Sequence, residues 1–300
     1  MAAKKDNSPR ASQGPTLLAR LSGLFGQRGQ STAVLVLLVA MVLFWFAVWW
    51  RVRDRVLASP EYWLTQANVE ITPPPPWIRS DIRAEVFRDA SLGPSLSIMD
   101  DNLTARLHDA FSLHPWIAKV RQVRKSYPAH VQVDLIYRKP VCMVLAVPSG
   151  AWPVDVDGVR LPTADFCPLD VNRYPRLTQI DSTPVGPEGT RWGDPRVVGG
   201  AQIAAALEPA WQELKLDHIA PTGTTEPGRP ADYFYELVTR SGTRILWGRA
   251  PGTDMPGEVP AADKVARLKK YVAENGSLEG RRGPQELDVR SLRSMEAARR

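Results

Sequence analysis

The sequence predicts an α+β protein: one N-terminal membrane helix, then a small β-α-α-β-β unit, then a mixed β-rich unit with flanking helices. Three observations predict it. Residues 33–50 form an unbroken apolar run. From residue 66 to 147 the apolar period reads as strand, then twice as helix, then again as strand. The 27 prolines and ten tryptophans of the chain favour loop-rich β structure over a helical bundle.

Composition limits the function classes. With 300 residues, 44% hydrophobic and 23% charged, the chain has room for two modest domains and is not disordered throughout. Two cysteines exclude a disulfide-dense scaffold and a multi-cysteine metal cluster. The net charge of +6 sits at the ends. Lys4, Lys5, Arg10, Arg20 and Arg28 face only Asp6 in residues 1–32, and Arg293, Arg299 and Arg300 face only Glu296 in the last ten. The body between is neutral overall, which argues against nucleic acid as a partner.

Residues 33–50 read AVLVLLVAMVLFWFAVWW. As a helix they span about 27 Å, close to the hydrocarbon thickness of a bilayer. Phe44, Trp45, Phe46, Trp49 and Trp50 cluster at the C-terminal end, where aromatic rings prefer the headgroup interface. The run exceeds the roughly 7–15 apolar residues of a signal peptide, and bulky Trp49-Trp50 stands where a cleavage site needs small residues. The expectation is a single-pass anchor in the lipid bilayer, preceded by a basic tail (1–32) and followed by a juxtamembrane linker (51–65). Charge does not orient it, because Arg20 and Arg28 lie before the span and Arg51, Arg53 and Arg55 after it.

The first extramembrane unit is placed at 66–147. Asn68 to Thr72 alternates as a short strand, and Pro73 to Pro76 form a stiff lead-in, with Pro76 setting the first turn of a helix. Ile78, Ile82 and Val86 recur every four residues on that helix, and Gly93-Pro94 breaks it. Asp100 or Asp101 caps a second helix with Leu103, Leu107, Ala110 and Phe111 on one face. Trp116 to Lys125 reads as a strand in which a bulge reconciles Val120 with Val123. After a turn at Tyr127-Pro128-Ala129, Val131, Val133, Leu135 and Tyr137 alternate, and Val141 to Val147 continues as the last strand.

The second unit is placed at 148–292, with a polar tail at 293–300. Val154 to Leu161 reads as a hairpin turning on Asp157-Gly158 in a type I′ turn, with Asp155 and Asp157 as turn and solvent residues. Residues 162–200 read mostly as loop. Ile203, Leu207, Ala210, Trp211 and Leu214 mark a third helix. Tyr233 to Thr239 and Thr243 to Trp247 form a second hairpin about Ser241-Gly242, and Ala261 to Ala273 a fourth helix. Leu287-Asp-Val-Arg290 closes the unit as a strand.

These segments carry a resemblance. Leu113-His-Pro-Trp-Ile117, Val123-Arg-Lys-Ser-Tyr-Pro128 and Val131 to Val141 resemble the POTRA domain of the FtsQ/DivIB family of bacterial division proteins, with Tyr137 where that family commonly has Glu. Val154-Asp-Val-Asp-Gly-Val-Arg-Leu161, Tyr174 to Ile180, the second hairpin with Gly248-Arg249, and Leu287-Asp-Val-Arg290 resemble the β-domain of the same family, in its order. The resemblance implies a non-enzymatic scaffold of the bacterial divisome in the cytoplasmic membrane, N-terminus cytoplasmic and bulk extracytoplasmic. It implies an FtsB/FtsL-like partner, received by β-strand addition at the terminal strand. Carried over by position, that strand is Glu286, Leu287, Asp288, Val289, Arg290, Ser291 and Leu292, supported by Thr243, Arg244, Ile245, Leu246 and Trp247.

No G-x-S-x-G, H-E-x-x-H, C-x-x-C or Walker A motif occurs, and the four histidines lack metal-ligand spacing. The expectation is no catalytic residue, no metal, no cofactor and no small-molecule substrate. Outside the cytoplasm Cys142 and Cys167 are a candidate disulfide, worth about 3 kcal/mol by loop closure; the alternative is two separate small apolar side chains. Two other functions stay open: a single-POTRA component of a secretion or envelope-assembly system, and a membrane-tethered cell-wall enzyme, which needs carboxylates converging in a cleft.

Overall fold

The computed structural model describes residues 29–146, 150–224, 228–229, 232–252, 257–280 and 283–290. Most of the basic tail, the polar tail 293–300, and Ser291 and Leu292 of the expected terminal strand lie outside the described residues. The chain divides into two compact units, Met1–Trp63 and Leu64–Arg300.

The described part of the first unit is mainly one helix, α1 (Gly29–Leu57). Its stretch Ala33–Leu57 is long and apolar enough to cross a membrane, and none of it is buried by other parts of the chain. The helix does not stop at Trp50, so the expected linker begins later. Arg51 to Leu57 contain no breaker, and helix continues until Ser59, which precedes Pro60 and is extended, with ψ 136°. The Arg53 guanidinium lies 4.6 Å from the centre of the Trp50 ring.

Two sheets, of three and seven strands, make up most of the second unit. The smaller one is built from β1 (Val69–Ile71), β2 (Ile117–Ser126) and β3 (His130–Tyr137), with α2 (Ile82–Asp89) and α3 (Leu103–Ser112) between the first two strands. Its order is β1-β3-β2, β1 parallel and β2 antiparallel to β3. Val131, Val133 and Leu135 alternate inward, and Ile82, Val86, Leu103, Leu107 and Phe111 are buried with them. The helix starts differ from expectation. Pro76 lies in a turn closed by Ile78 N–H on Pro75 O, and α2 begins after Asp81, whose carboxylate accepts from Ala84 N–H at 3.1 Å. Asn102, not an aspartate, occupies the cap of α3; Asp100 instead accepts the Asn102 N–H at 2.9 Å. The bulge in β2 is present, between Val120 and Gln122, and a second lies between Ile117 and Lys119. Tyr137 is tied to the lead-in strand, its hydroxyl donating to Thr72 O at 2.5 Å, and burial pushes that phenol up to about 12.

The larger sheet contains β4 (Cys142–Ala146), β5 (Gly150–Val154), β6 (Arg176–Ile180), β7 (Leu216–Thr224), β8 (Tyr233–Thr239), β9 (Arg244–Arg249) and β10 (Glu286–Asp288). Their order is β10-β9-β8-β7-β6-β4-β5. The strand expected to end the first unit therefore belongs here. β4 lies between β6 and β5, because Arg138-Lys139-Pro140 interrupts the small sheet and turns the chain. The chain passes from the smaller sheet to the larger at that interruption rather than at 147, and both sheets lie in the one compact unit Leu64–Arg300.

α4 (Pro195–Leu207) starts inside the stretch expected to be loop. Asp194 caps it by accepting the Arg196 N–H at 2.8 Å, and Pro195 supplies the preset first φ. Gly199 and Gly200, which read as loop residues, let this helix approach the sheet. A Cβ at Gly199 would lie 2.2 Å from Tyr235 Oη, and one at Gly200 would lie 2.6 Å from Leu177. The helix ends at Leu207, ahead of Glu208-Pro209; Ala210, Trp211 and Leu214 stay buried but continue as turns. β7 has no alternation in sequence, since Pro221 and Gly223 interrupt it, and both lie where its pairing with β8 is irregular. The turn after β5 is not type I′. Gly158 alone has positive φ, at 69°, and Asp155 is buried rather than solvated, accepting from Asp157 N–H, Val159 N–H and the Arg138 guanidinium.

Candidate functional site

The terminal strand β10 forms one edge of the larger sheet, and among the described residues no strand pairs with its outer side. It runs parallel to β9, with Arg244 beside Glu286, Ile245 beside Leu287 and Leu246 beside Asp288. Arg244 N–H donates to Gln285 O at 2.9 Å, and Val289 N–H to Leu246 O at 3.3 Å. Residues 285, 287 and 289 thus turn their backbone groups toward β9. Parallel pairing alternates, so the N–H and C=O groups of Glu286 and Asp288 turn outward.

The core anchors this edge. Leu287 and Val289 are fully buried, as are Ile245 and Trp247 on β9 and Leu268 on α5 (Ala261–Asn275). The opposite face is charged. Arg290 donates to Asp288 from its backbone and from two guanidinium nitrogens, at 2.7 to 3.0 Å. Those bonds hold the Asp288 carboxyl below its ordinary range. Arg244 binds Glu236 through two nitrogens, which raises its own pKa, and lies 3.9 Å from Glu286. Thr243 is buried, and its hydroxyl accepts the Gln285 N–H at 3.3 Å. Of the five hairpin residues expected to support the terminal strand, Arg244, Ile245 and Leu246 lie opposite it, Thr243 bonds Gln285 just before it, and Trp247 is the next residue of β9.

One group at this edge was not foreseen. Lys264 is 1% exposed, bound to Glu258, with its ammonium 5.0 Å from the centre of the Trp247 ring. Burial lowers its pKa and the Glu258 carboxylate opposes that. Glu258 also accepts the Arg249 N–H at 3.2 Å. This fits because Gly248, at φ +90°, has no side chain: a Cβ there would lie 2.8 Å from Glu258 Oε1 and 3.1 Å from Arg290 Cγ. The sequence held one signal. Lys264 stands four residues before Leu268, on the apolar stripe of α5.

Elsewhere, a cavity of about 260 Å³ contains Asp165 and Asp170, with Trp77, Phe166 and Tyr174 around them. Both carboxylates are engaged by the chain's own donors. Asp165 accepts Arg79 N–H, Ser80 N–H and the Trp116 indole; Asp170 accepts Cys167 N–H and the guanidinium groups of Arg79 and Arg173. His114 is buried, and its Nδ1 accepts the Trp116 N–H at 3.3 Å, which leaves Nε2 to carry the proton toward Glu85 at 3.0 Å. Cys142 and Cys167 are two free thiols rather than a disulfide. Among the described residues, no group of three or more His, Cys, Asp or Glu is arranged to hold a metal ion. Comparison with known proteins finds no family model that matches this chain and no curated protein that matches it.

Proposed function

We propose that the chain is a membrane-anchored, non-enzymatic scaffold of the FtsQ/DivIB kind, acting in bacterial division by binding an FtsB/FtsL-like partner along β10. In this reading α1 crosses the cytoplasmic membrane with the N-terminus inside, the smaller sheet with its two helices is the POTRA domain, and the larger sheet is the β-domain.

The observation that carries the reading is the outer side of β10, with which no strand pairs among the described residues. An edge strand held by buried Leu287 and Val289 is rigid, while the outward N–H and C=O groups of Glu286 and Asp288 offer hydrogen bonds to a further strand. A rigid strand loses little entropy when it is paired. The charged face of Asp288, Arg290, Arg244 and Glu236 sets which side chains an added strand tolerates.

Truncation after Gly283 tests the site: co-purification of the FtsB-like partner is lost while membrane insertion persists. Truncation also removes Leu287 and Val289 from the core, so a milder variant is needed. Glu286→Pro removes one outward N–H and no bond to β9. It is expected to weaken the partner at least tenfold while circular dichroism stays unchanged. Full binding by both variants overturns the reading.

A further inference from the structure

We infer that the cleft beside α2 holds an anionic phospholipid, its phosphate against Arg83 and Arg88 and the upper part of an acyl chain along the apolar floor. The inference rests on the reading of α1 as a membrane anchor. The cleft measures about 710 Å³ and lies between α2 and the segment by which the chain enters the second unit. Phe87, Leu92 and Pro94 line it together with the two arginines, and none of the described residues around it is acidic.

The chain leaves these two cations largely unmatched. Arg83 donates from Nη1 to Val69 O at 3.1 Å, its Nε is buried without a partner, and no carboxylate comes within ion-pair distance of it among the described residues. The carbonyl fixes the guanidinium without neutralising it. Glu85, on the same helix, faces His114 Nε2 at 3.0 Å instead. Arg88 binds its neighbour Asp89, but the two side chains are 70% and 64% exposed, and such a pair is worth little in water. Guanidinium groups offer phosphate paired, charge-assisted N–H donors.

Size and place select the occupant. Ligand pockets commonly measure ~300–1,000 Å³, and a free phosphate would fill little of this one and leave its apolar floor bare. A phospholipid matches both parts, with phosphate for the arginines and hydrocarbon for Phe87, Leu92 and Pro94. Thr65, at the rim, follows Trp63 by two residues, and the Trp63 indole donates at 3.0 Å to the carbonyl of Leu57, the last residue of α1. Chain connectivity alone therefore keeps the cleft near the end of the anchor. Arg51, Arg53 and Arg55 follow the apolar run of α1, and a basic row in that place is drawn to anionic rather than zwitterionic headgroups.

The test uses the full chain in detergent micelles and native mass spectrometry with phosphatidylglycerol or phosphatidylcholine added. Phosphatidylglycerol is expected to bind at least tenfold more tightly. R83Q/R88Q should weaken it at least tenfold, and Arg88→Gln, which gives up only the exposed bond to Asp89, several-fold. Gly93→Leu tests the cleft itself. A Cβ at Gly93 would meet only Ser95 O, at 3.8 Å, so the longer side chain has room and should weaken the lipid with no change of charge. Circular dichroism reports that each variant is folded, and flotation with vesicles reports the anchor separately. A parent chain that does not float overturns the membrane reading and the inference with it. A parent that floats, yet holds phosphatidylglycerol no more tightly than R88Q and Gly93→Leu do, overturns the inference alone. So does displacement of the lipid by equimolar inorganic phosphate or phosphoserine peptide.

Discussion

The carboxylate of Asp165 accepts the indole N–H of Trp116 at 2.7 Å, across 49 positions of sequence. The same carboxylate takes the backbone N–H groups of Arg79 at 2.9 Å and Ser80 at 2.8 Å. Trp116 introduces β2, and Asp165 follows the turn after β5, so one buried side chain ties the smaller sheet's connections to the larger sheet's.

Replacing Asp165 tests the strength of that tie. Asp165→Ala leaves the buried Trp116 indole and the part-buried N–H groups of Arg79 and Ser80 without this acceptor and is expected to cost about 2 kcal/mol in urea unfolding followed by tryptophan fluorescence. Asp165→Asn keeps one carbonyl acceptor and should cost less. A loss near zero for Asp165→Ala would mean that the junction is held by packing alone.

Gly248→Ala tests the support of the terminal strand. The position has φ +90°, and a Cβ would press on Glu258 and Arg290. The expected loss is about 2 kcal/mol. Hydrogen exchange should quicken at Val289 N–H, whose 3.3 Å bond to Leu246 closes β10. Unchanged exchange there would detach Gly248 from the edge.

Asp288 titrates below its ordinary 3.8 because Arg290 hydrogen-bonds its charged form. A carboxyl depressed in the folded state adds stability above pH 3.8, and that contribution is lost as pH falls through the folded value. Arg290→Ala should return the Asp288 midpoint toward 3.8, read by carbon NMR of labelled aspartate. A midpoint that does not move would assign the shift to other groups.

The two thiols should differ in reactivity. Cys142 is 0% exposed, and burial, with Asp155 nearby, pushes its thiol pKa up. Cys167 is half-buried. At pH 8 the native chain should label one thiol quickly, and the second only on unfolding. Absence of any titratable thiol in both states would indicate a disulfide.

The patterns that rest on near neighbours were legible in the sequence. The apolar run of α1, the stripe Leu103-Leu107-Phe111 of α3, the hairpin about Ser241-Gly242 and the stripe Val265-Leu268-Val272 of α5 each depend on side-chain periodicity or turn chemistry. The candidate edge was readable only as a closing strand beside its hairpin. Strand β7 was not readable, because Pro221 and Gly223 erase its alternation and only its neighbours β6 and β8 hold it extended.

What the sequence by itself determined is therefore local: a helix long and apolar enough to cross a membrane, amphipathic helices and strand segments, and the order in which they come. The tertiary structure decided that β4 joins the larger sheet, that Gly199 and Gly200 seat a helix, that Asp155, Asp165 and Lys264 are buried, and that among the described residues no strand pairs with the outer sides of β2 and β10. The reason is physical. A strand's partners, a buried charge's counter-ion and an edge's exposure are set by groups tens of residues away, and no periodicity within the segment encodes them.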